Sequence, residues 1–504
     1  MSVDTLDRTA SGHTLPDGIH IKHPDRIFIG GKWVTPSTSD MIEVVSPNTA
    51  EVVARVADAK AADMDRAVVA AQAAFESHEW SALTLDERRA YLEKMLGYLA
   101  GRRAELEIAW KEQVGGLKTL CPRMIDGGLA AIQFVIAASR EVVLEEEATS
   151  IIMERGVIRR EPVGVVAAIA PWNGPFQIMA NKVAPALIAG CTVVMKPAPE
   201  TPLEAYIIAE AAEAVGLPPG VINLVCGDRD ASDHLVHNPD VDKVSFTGST
   251  AAGKRIASVC GGRLARYMLE LGGKSAAIVL DDMPLPEAAA ILGRTITMFS
   301  GQVCAILSRV IVSRDRHDEL ARLIGEEMDR VKVSHSNDPT AEMGPIAMRR
   351  QLDRVQGYVE SGLASGATLV RGGKRIEALG RGYFFEPTLF ANVSNDAPIA
   401  QEEIFGPVLC LIPAADEADM IRIANDSDFG LSGAVMTHDD AAAYRVASQM
   451  RTGTVGQNGL RLDFSLPFGG FKQSGVGREN GVDGILSYTE TKVMLLGDPK
   501  PMPG

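Results

Sequence analysis

Between residues 163 and 280 the chain alternates wholly apolar runs with stretches of helical spacing. The strand candidates are 163–170, 191–196, 221–226, 243–247 and 276–280, and helical patterns fill 177–189, 202–215, 229–237 and 249–260. A strand with no polar face must be covered on both sides, which an isolated hairpin cannot provide. Strand, helix, strand in repetition therefore predicts a parallel sheet between two layers of helices. Such sheets bind ligands outside the carboxyl ends of their strands. A second alternating set follows: helix 284–298, strand 309–313, helices 315–332 and 348–362, strands 384–389 and 407–413, helix 417–425, strand 431–437, helix 439–449 and strand 453–457.

The flanking sequence divides the rest. Residues 27–56 alternate apolar and polar around turn residues and predict short antiparallel strands. Residues 59–100 and 102–139 read as helical, with a turn at Trp80 and a break near Cys121-Pro122. Residues 141–160 form a strand–turn–strand too thin to bury a face alone, and the tail 488–496 reads as a last strand that pairs with it. The expected organisation is α/β, with two Rossmann-like parallel-sheet domains and a small β arm suited to oligomerisation. Residues 25–140 and 161–271 build the first domain, and 272–480 the second. Residues 141–160 and 481–504 are the arm and tail, and 1–24 a mobile leader. His13, His20 and His23 in that leader are read as solvated. The loop 466–477 is too glycine-rich for regular structure.

Composition narrows the partners. Net charge is −15 over 504 residues, which argues against a nucleic-acid or anionic-membrane surface. No apolar run reaches the roughly 18 residues of a membrane helix, and the first twenty residues lack the apolar core of a signal peptide. Six cysteines, none in a CxxC or zinc spacing, suggest a reducing cytoplasm and no metal site.

Chemistry-bearing residues fall at or just after predicted strand ends. Cys304 closes Met298-Phe299-Ser300-Gly301-Gln302-Val303-Cys304, where Gly301 permits a turn with positive φ. A thiol there is either a reachable nucleophile or a small buried hydrophobe. Asn173, in Ala170-Pro171-Trp172-Asn173-Gly174-Pro175, presents an amide from a rigid perch. That amide suits an oxyanion, or else bonds its own backbone in an Asx turn. Glu270 is a lone carboxylate in apolar company: either a base raised by desolvation, or a partner of Lys274 or an arginine. Lys196 ends a strand and either donates to a ribose or phosphate or is an ordinary exposed lysine. Thr247-Gly248-Ser249 opens a helix whose N–H groups favour an anion such as a pyrophosphate, or whose Ser249 is a plain N-cap. Together these residues form a set for covalent catalysis.

That combination resembles the NAD(P)-dependent aldehyde dehydrogenase superfamily. The matching motifs are PWN (171–173), FTGST (246–250), LELGGK (269–274), GQxC (301–304), GP followed by Gln351 (344–351), GYFFEPT (382–388), EEIFGPV (402–408) and PFGGFKQSGVGRE (467–479), in family order across residues 25–497. The resemblance implies a dinucleotide-binding first domain and a catalytic second domain. It implies Cys304 as nucleophile, Asn173 as oxyanion donor and Glu270 as the base that activates water. It implies cofactor contacts from Trp172, Lys196, Gly248, Ser249, Glu403 and Phe405, a supporting Lys182–Glu479 pair, and a homodimer or homotetramer. Gly174, Ile178, Asn181, Met298, Phe299, Arg461 and Leu462 are the expected substrate lining. Pro199 stands where many NAD-preferring members carry glutamate, so NAD is expected with NADP possible. Gly174 and Asn181 replace larger side chains, which favours a bulky aromatic or terpenoid aldehyde; Arg461 instead favours a semialdehyde carboxylate. Acyl transfer to CoA is a variant that Glu270 argues against. A thiol hydrolase would need a histidine beside Cys304, and His317, His335 and His438 lie in charged or turn-like contexts. Intact Cys304, Glu270 and Asn173 argue against a catalytically silent protein.

Overall fold

A computed structural model of the chain describes residues 15–499. An eight-stranded sheet runs, edge to edge, Gly475–Val476, Arg266–Glu270, Lys243–Thr247, Val165–Ile169, Thr192–Lys196, Ile222–Leu224, Ile27–Ile29 and Lys32–Val34. Its inner strands are parallel and its edges antiparallel. Alternate residues leave opposite faces: Val166, Ala168 and Val193 enter one core, while Val165, Ala167, Ile169 and Val194 enter the other. The apolar runs are thus covered on both sides, as their composition requires. From Val165–Ile169 the chain builds outward to Ile222–Leu224, then returns to place Lys243–Thr247 on the opposite flank. The carboxyl ends of Val165–Ile169 and Lys243–Thr247 therefore meet at a topological switch point, where such sheets open a crevice.

A seven-stranded sheet has the order Thr368–Arg371, Thr388–Ala391, Val408–Ala414, Leu307–Ser313, Ser275–Val279, Ser432–Met436 and Thr454–Gln457, parallel except at its first edge. The chain is an α/β protein with two covered sheets. Residues 276–280, which the apolar pattern grouped with the first alternating run although they follow the boundary at 271/272, belong to the second sheet. The last parallel strand of the first sheet is instead Arg266–Glu270, which begins Arg-Tyr and lacks the continuous apolar run of its neighbours. The glycine-rich loop 466–477 also contributes a short strand, Gly475–Val476, paired with Leu269 and Glu270. The helical run 102–139 breaks at residues 115–120, as expected near Cys121-Pro122, and Cys121-Pro122 opens the next helix, where proline in the first turn leaves no intrahelical donor unmet.

A third sheet joins Thr489–Pro499, Met153–Pro162 and Glu145–Ala148. The tail strand lies antiparallel along Met153–Pro162, with Thr489 opposite Pro162 and Leu496 opposite Arg155. The expected leader is shorter than 1–24. Ile19 and Ile21 are buried in the first core, the His20 N–H donates to Glu105 and the Lys22 N–H to Glu210; His13 lies outside the described residues. Helix Cys121–Ala138 is long and apolar enough to cross a membrane by length and composition, with mean hydropathy 1.2, contrary to the reading that no run reaches that length. Here Ile125, Ile132, Val135 and Ile136 pack it into the first core.

Candidate active site

The nucleophile candidate sits where the two sheets approach each other. Helix Leu285–Thr297 ends in a short turn, Met298–Gly301, in which Phe299, Ser300 and Gly301 all take positive φ (50°, 56° and 72°). Left-handed backbone at two non-glycine residues is costly, and the surroundings hold it. The Ser300 hydroxyl donates to the carbonyls of Gly344 (2.8 Å) and Pro345 (3.1 Å). The Gln302 side-chain oxygen accepts the Ala347 N–H at 2.9 Å, and its amide nitrogen donates back to the Phe299 carbonyl at 3.0 Å. Met298 packs on the second sheet's core and Phe299 on the first's. Cys304 emerges from this turn half-buried, whereas the other five cysteines are buried. Burial, then the carboxylates of Glu403 and Glu270, push its thiol up to about 12.

Asn173 comes from the switch-point loop after Val165–Ile169. Its side-chain amide donates to the Gln302 carbonyl at 3.0 Å, two residues before the thiol, so it is not spent on an Asx turn. A residue that sequence reasoning missed steadies it: the Trp110 indole N–H donates to the Asn173 carbonyl (3.2 Å), and its ring meets Phe299 edge-on at 5.1 Å. The only signal was a tryptophan on the buried face of the helix Arg103–Val114.

Glu270 ends the strand Arg266–Glu270, 4% exposed, and among the described residues neither carboxylate oxygen has a hydrogen-bond partner. It pairs with neither Lys274 nor an arginine. Burial first, and the Glu479 carboxylate second, hold it well above the usual carboxylate range, against the opposing pull of Lys182 and Arg478. Lys182 and Glu479 themselves pair at 2.7 Å, both buried. Gly469 crowds Glu270 so closely that a Cβ there would fall 2.7 Å from Oε1, and a Cβ at Gly475 would fall 2.3 Å from the carbonyl oxygen of the preceding Leu269.

A second group faces the crevice. Lys196 is 6% exposed, and among the described residues nothing bonds its ammonium. Burial lowers its pKa while Glu200 and Asp228 raise it. Thr247 has a buried, unpartnered hydroxyl, Gly248 follows, and Ser249 N-caps the helix Thr250–Arg263, accepting the Ala252 N–H. Glu403 accepts the Gly273 N–H at 3.1 Å, and burial pushes it up to about 7. A Cβ at Gly272 would lie 2.4 Å from a Glu403 oxygen. Trp172 and Phe405 meet edge to face at 5.2 Å, and Gln351 holds the Phe405 turn by donating to the carbonyls of residues 404 and 405. A helix N-terminus capped by Ser249, a buried unpartnered lysine, an unpaired hydroxyl and a carboxylate at the crevice form a donor and acceptor set that fits a dinucleotide.

The histidines after Cys304 are engaged elsewhere: His317 with Asp318 and the Asn392 N–H, His335 against Phe384, and His438 with Glu287. This removes the thiol hydrolase.

The sequence profile of the aldehyde dehydrogenase family matches residues 33–494. The chain belongs to the aldehyde dehydrogenase family. It is 41% identical over 473 residues to a geranial dehydrogenase of Castellaniella defragrans, covering 94% of this chain and 98% of that protein. It is 41% identical over 474 residues to a 3-succinoylsemialdehyde-pyridine dehydrogenase of a Pseudomonas species, covering 93% and 98%. The crystal structure of Mycobacterium tuberculosis aldehyde dehydrogenase complexed with NAD+ superposes with a TM-score of 0.91 at 43% identity, covering 94% and 98%.

In this aldehyde dehydrogenase the residues read as substrate lining come from three segments: Met298 and Phe299 from the turn, Gly174, Ile178 and Asn181 from helix Pro175–Ala189 and its cap, and Arg461 and Leu462 from the loop after Thr454–Gln457. Gly174 leaves only Ile178 within reach of an added Cβ. Asn181 is 6% exposed with an unpartnered side-chain oxygen. Leu462 is half-buried. Arg461 is exposed, and its guanidinium donates to the carbonyls of Gln457 (3.3 Å) and Asn458 (3.2 Å), so its own loop engages the charge that was assigned to a substrate carboxylate.

Proposed function

We propose that this aldehyde dehydrogenase oxidises a medium-sized or bulky aldehyde, aromatic or terpenoid, to the carboxylic acid with NAD+. The observation that carries the chemistry is the thiol leaving a braced left-handed turn, beside an amide donor and a buried, unpartnered carboxylate. Cys304 attacks the aldehyde carbon as thiolate, forming a thiohemiacetal. The Asn173 amide and the Cys304 N–H hold the oxyanion. NAD+, when bound, supplies the hydride acceptor. Lys196 and Glu403 bind the two riboses, the helix N-terminus at Gly248 and Ser249 takes the pyrophosphate, and Trp172 and Phe405 wall the crevice. Loss of hydride leaves a Cys304 thioester. Glu270 accepts a proton from water as that water adds to the thioester carbon, and the acid leaves as the C–S bond breaks. Carboxylates near Lys196, with Arg350 already paired to Glu200, disfavour a 2′-phosphate and support NAD over NADP.

The small residues at Gly174 and Asn181 support the bulky aldehyde, as does likeness to a geranial dehydrogenase. Likeness to a semialdehyde dehydrogenase supports the second reading, in which Arg461 leaves its loop to meet a carboxylate. We further propose a homodimer or homotetramer assembled through the arm, located in the cytoplasm, where six free thiols suit a reducing medium. Purified protein is assayed by absorbance of reduced cofactor against geranial, benzaldehyde, succinic semialdehyde and acetaldehyde, with NAD and NADP in parallel. The expected order puts geranial or benzaldehyde first with NAD. Sole preference for acetaldehyde contradicts the bulky pocket, and preference for succinic semialdehyde establishes the second reading.

A further inference from the structure

Beside the Gly272-Gly273-Lys274 strip lies a small cavity of about 10 Å³, room for one water-sized body. Its lining includes Lys274, Ser275, Arg309, Ser432, Arg451 and Thr452. Four of these carry buried polar atoms with no hydrogen-bond partner: the Lys274 ammonium and the hydroxyls of Ser275, Ser432 and Thr452. Unmet buried polar groups are rare, and four on one void call for an occupant. The sign of that occupant follows from the charges. Three lining residues are cationic and none is acidic.

Nearby candidates do not serve as counter-ion. Asp426 and Asp428, on the loop that closes the cavity, are exposed. Glu403 is committed to the Gly273 N–H. Cys410 is a protonated thiol, raised by burial and directed at the Ile399 carbonyl. Arg309 is spent on the carbonyls of Lys274, Ile423 and Ala424 and on Asn395, and Arg451 is exposed. This leaves Lys274 as the buried lining cation with neither hydrogen bond nor ion pair among the described residues, felt by Glu403 and Glu402 only at longer range. A buried ammonium without a counter-ion is strongly disfavoured.

We propose that this cavity is a binding site for one small monovalent anion of the chloride class, held by the Lys274 ammonium and the hydroxyls of Ser275, Ser432 and Thr452. The site matters to catalysis by position. Lys274 directly follows Gly273, whose N–H holds Glu403 and whose Cα abuts the Cys304 carbonyl, so closely that a Cβ there would fall 2.4 Å from that oxygen. An anion that fixes Lys274 therefore fixes the strip between nucleophile and cofactor carboxylate.

The test replaces chloride by bromide in crystals of the full-length protein and measures anomalous scattering at the bromine edge. The expected result is a peak within hydrogen-bond reach of the Lys274 ammonium. In solution, thermal melting is followed against sodium bromide, with sodium gluconate holding ionic strength and pH constant. Wild type gains stability along a saturable curve. Ser432→Ala, which keeps the charge, weakens the half-saturating concentration about tenfold, as loss of one hydrogen bond to a charged group implies. Lys274→Met abolishes the saturable component; should that variant fail to fold, Ser432→Ala decides alone. Ordered water without an anomalous peak overturns the proposal. So does a melting response to bromide that gluconate reproduces, or one that Ser432→Ala leaves unchanged.

Discussion

Burial pushes the Cys304 thiol up to about 12 and the Glu270 carboxyl well above its usual range, so both shifts favour the protonated form. The reactive form of each is the deprotonated one, so raising pH populates both. Log kcat/KM should climb between about pH 6 and 9 with no plateau at the acid side; a rate already flat at pH 5 would show that neither group titrates during turnover. Glu270→Gln should keep a burst of about one reduced cofactor per Cys304 and lose steady turnover by about 10²–10⁴-fold, because thiol attack survives while water activation does not. Equal loss of burst and steady rate would remove Glu270 from deacylation. Trp110 is read through its neighbour. Trp110→Phe keeps the ring against Phe299 but deletes the N–H donated to the Asn173 carbonyl. The loss of roughly 1 kcal/mol of positioning should lower kcat severalfold with KM nearly unchanged. A change in KM alone would make Trp110 a wall of the substrate tunnel instead.

Elements hold these side chains through contacts that differ in how plainly a sequence displays them. Gly301 was readable, because its neighbours demanded a tight turn, and its φ is 72°. What could not be read is the reason: a Cβ there would fall 2.1 Å from the Gly406 carbonyl oxygen, on the segment carrying Phe405. Gly301→Ala should therefore displace the turn and lower kcat/KM by about 10²-fold, the loss typical of an ångström of misplacement, while circular dichroism shows the helices retained. Full activity would mean the turn is softer than its bracing implies. The strand Arg266–Glu270 was missed because its polar start breaks the apolar run, so Glu270 stood in the sequence as a lone acid, not as a strand end beside the switch point. Lys182 and Glu479 are 297 residues apart, a distance that periodicity cannot bridge and only the family resemblance suggested. Glu479→Gln leaves the Lys182 ammonium buried without its partner, which should cost about 3–5 kcal/mol in unfolding free energy. The same change removes a carboxylate that raises Glu270 and keeps an ammonium that lowers it. The alkaline rise in steady turnover should then move to lower pH. A rise that stays in place would deny that the pair tunes the base.

At the scale of the molecule, the two covered sheets were legible because continuous apolar strands admit few arrangements. That 276–280 leaves the run it ends was not visible in its apolar pattern, since the pattern within a strand says nothing about which neighbours it finds; only the domain boundary at 271/272 set it apart. The arm is the reverse case. Its strands are polar and thin in sequence, yet the register is long and regular from Thr489 opposite Pro162 to Leu496 opposite Arg155, and shifts only beyond Leu496. Val493 and Leu495 point to one face of the tail strand, 60% and 47% exposed, in register with Ile158 and Gly156. Thr489–Pro499 is also an edge strand, with one row of backbone donors and acceptors unpaired in the single chain. An exposed edge of that length bearing branched apolar residues is a template for association unless something covers it, and a second copy of the same arm meets both needs at once. Val493→Asp with Leu495→Asp places two charges on that face without touching either core. Light scattering coupled to gel filtration should find wild type as a dimer or tetramer and the double variant shifted toward the 53.7 kDa single chain. The proposed arm interface fails if wild type itself runs as a single chain, or if two buried aspartates leave the assembly whole.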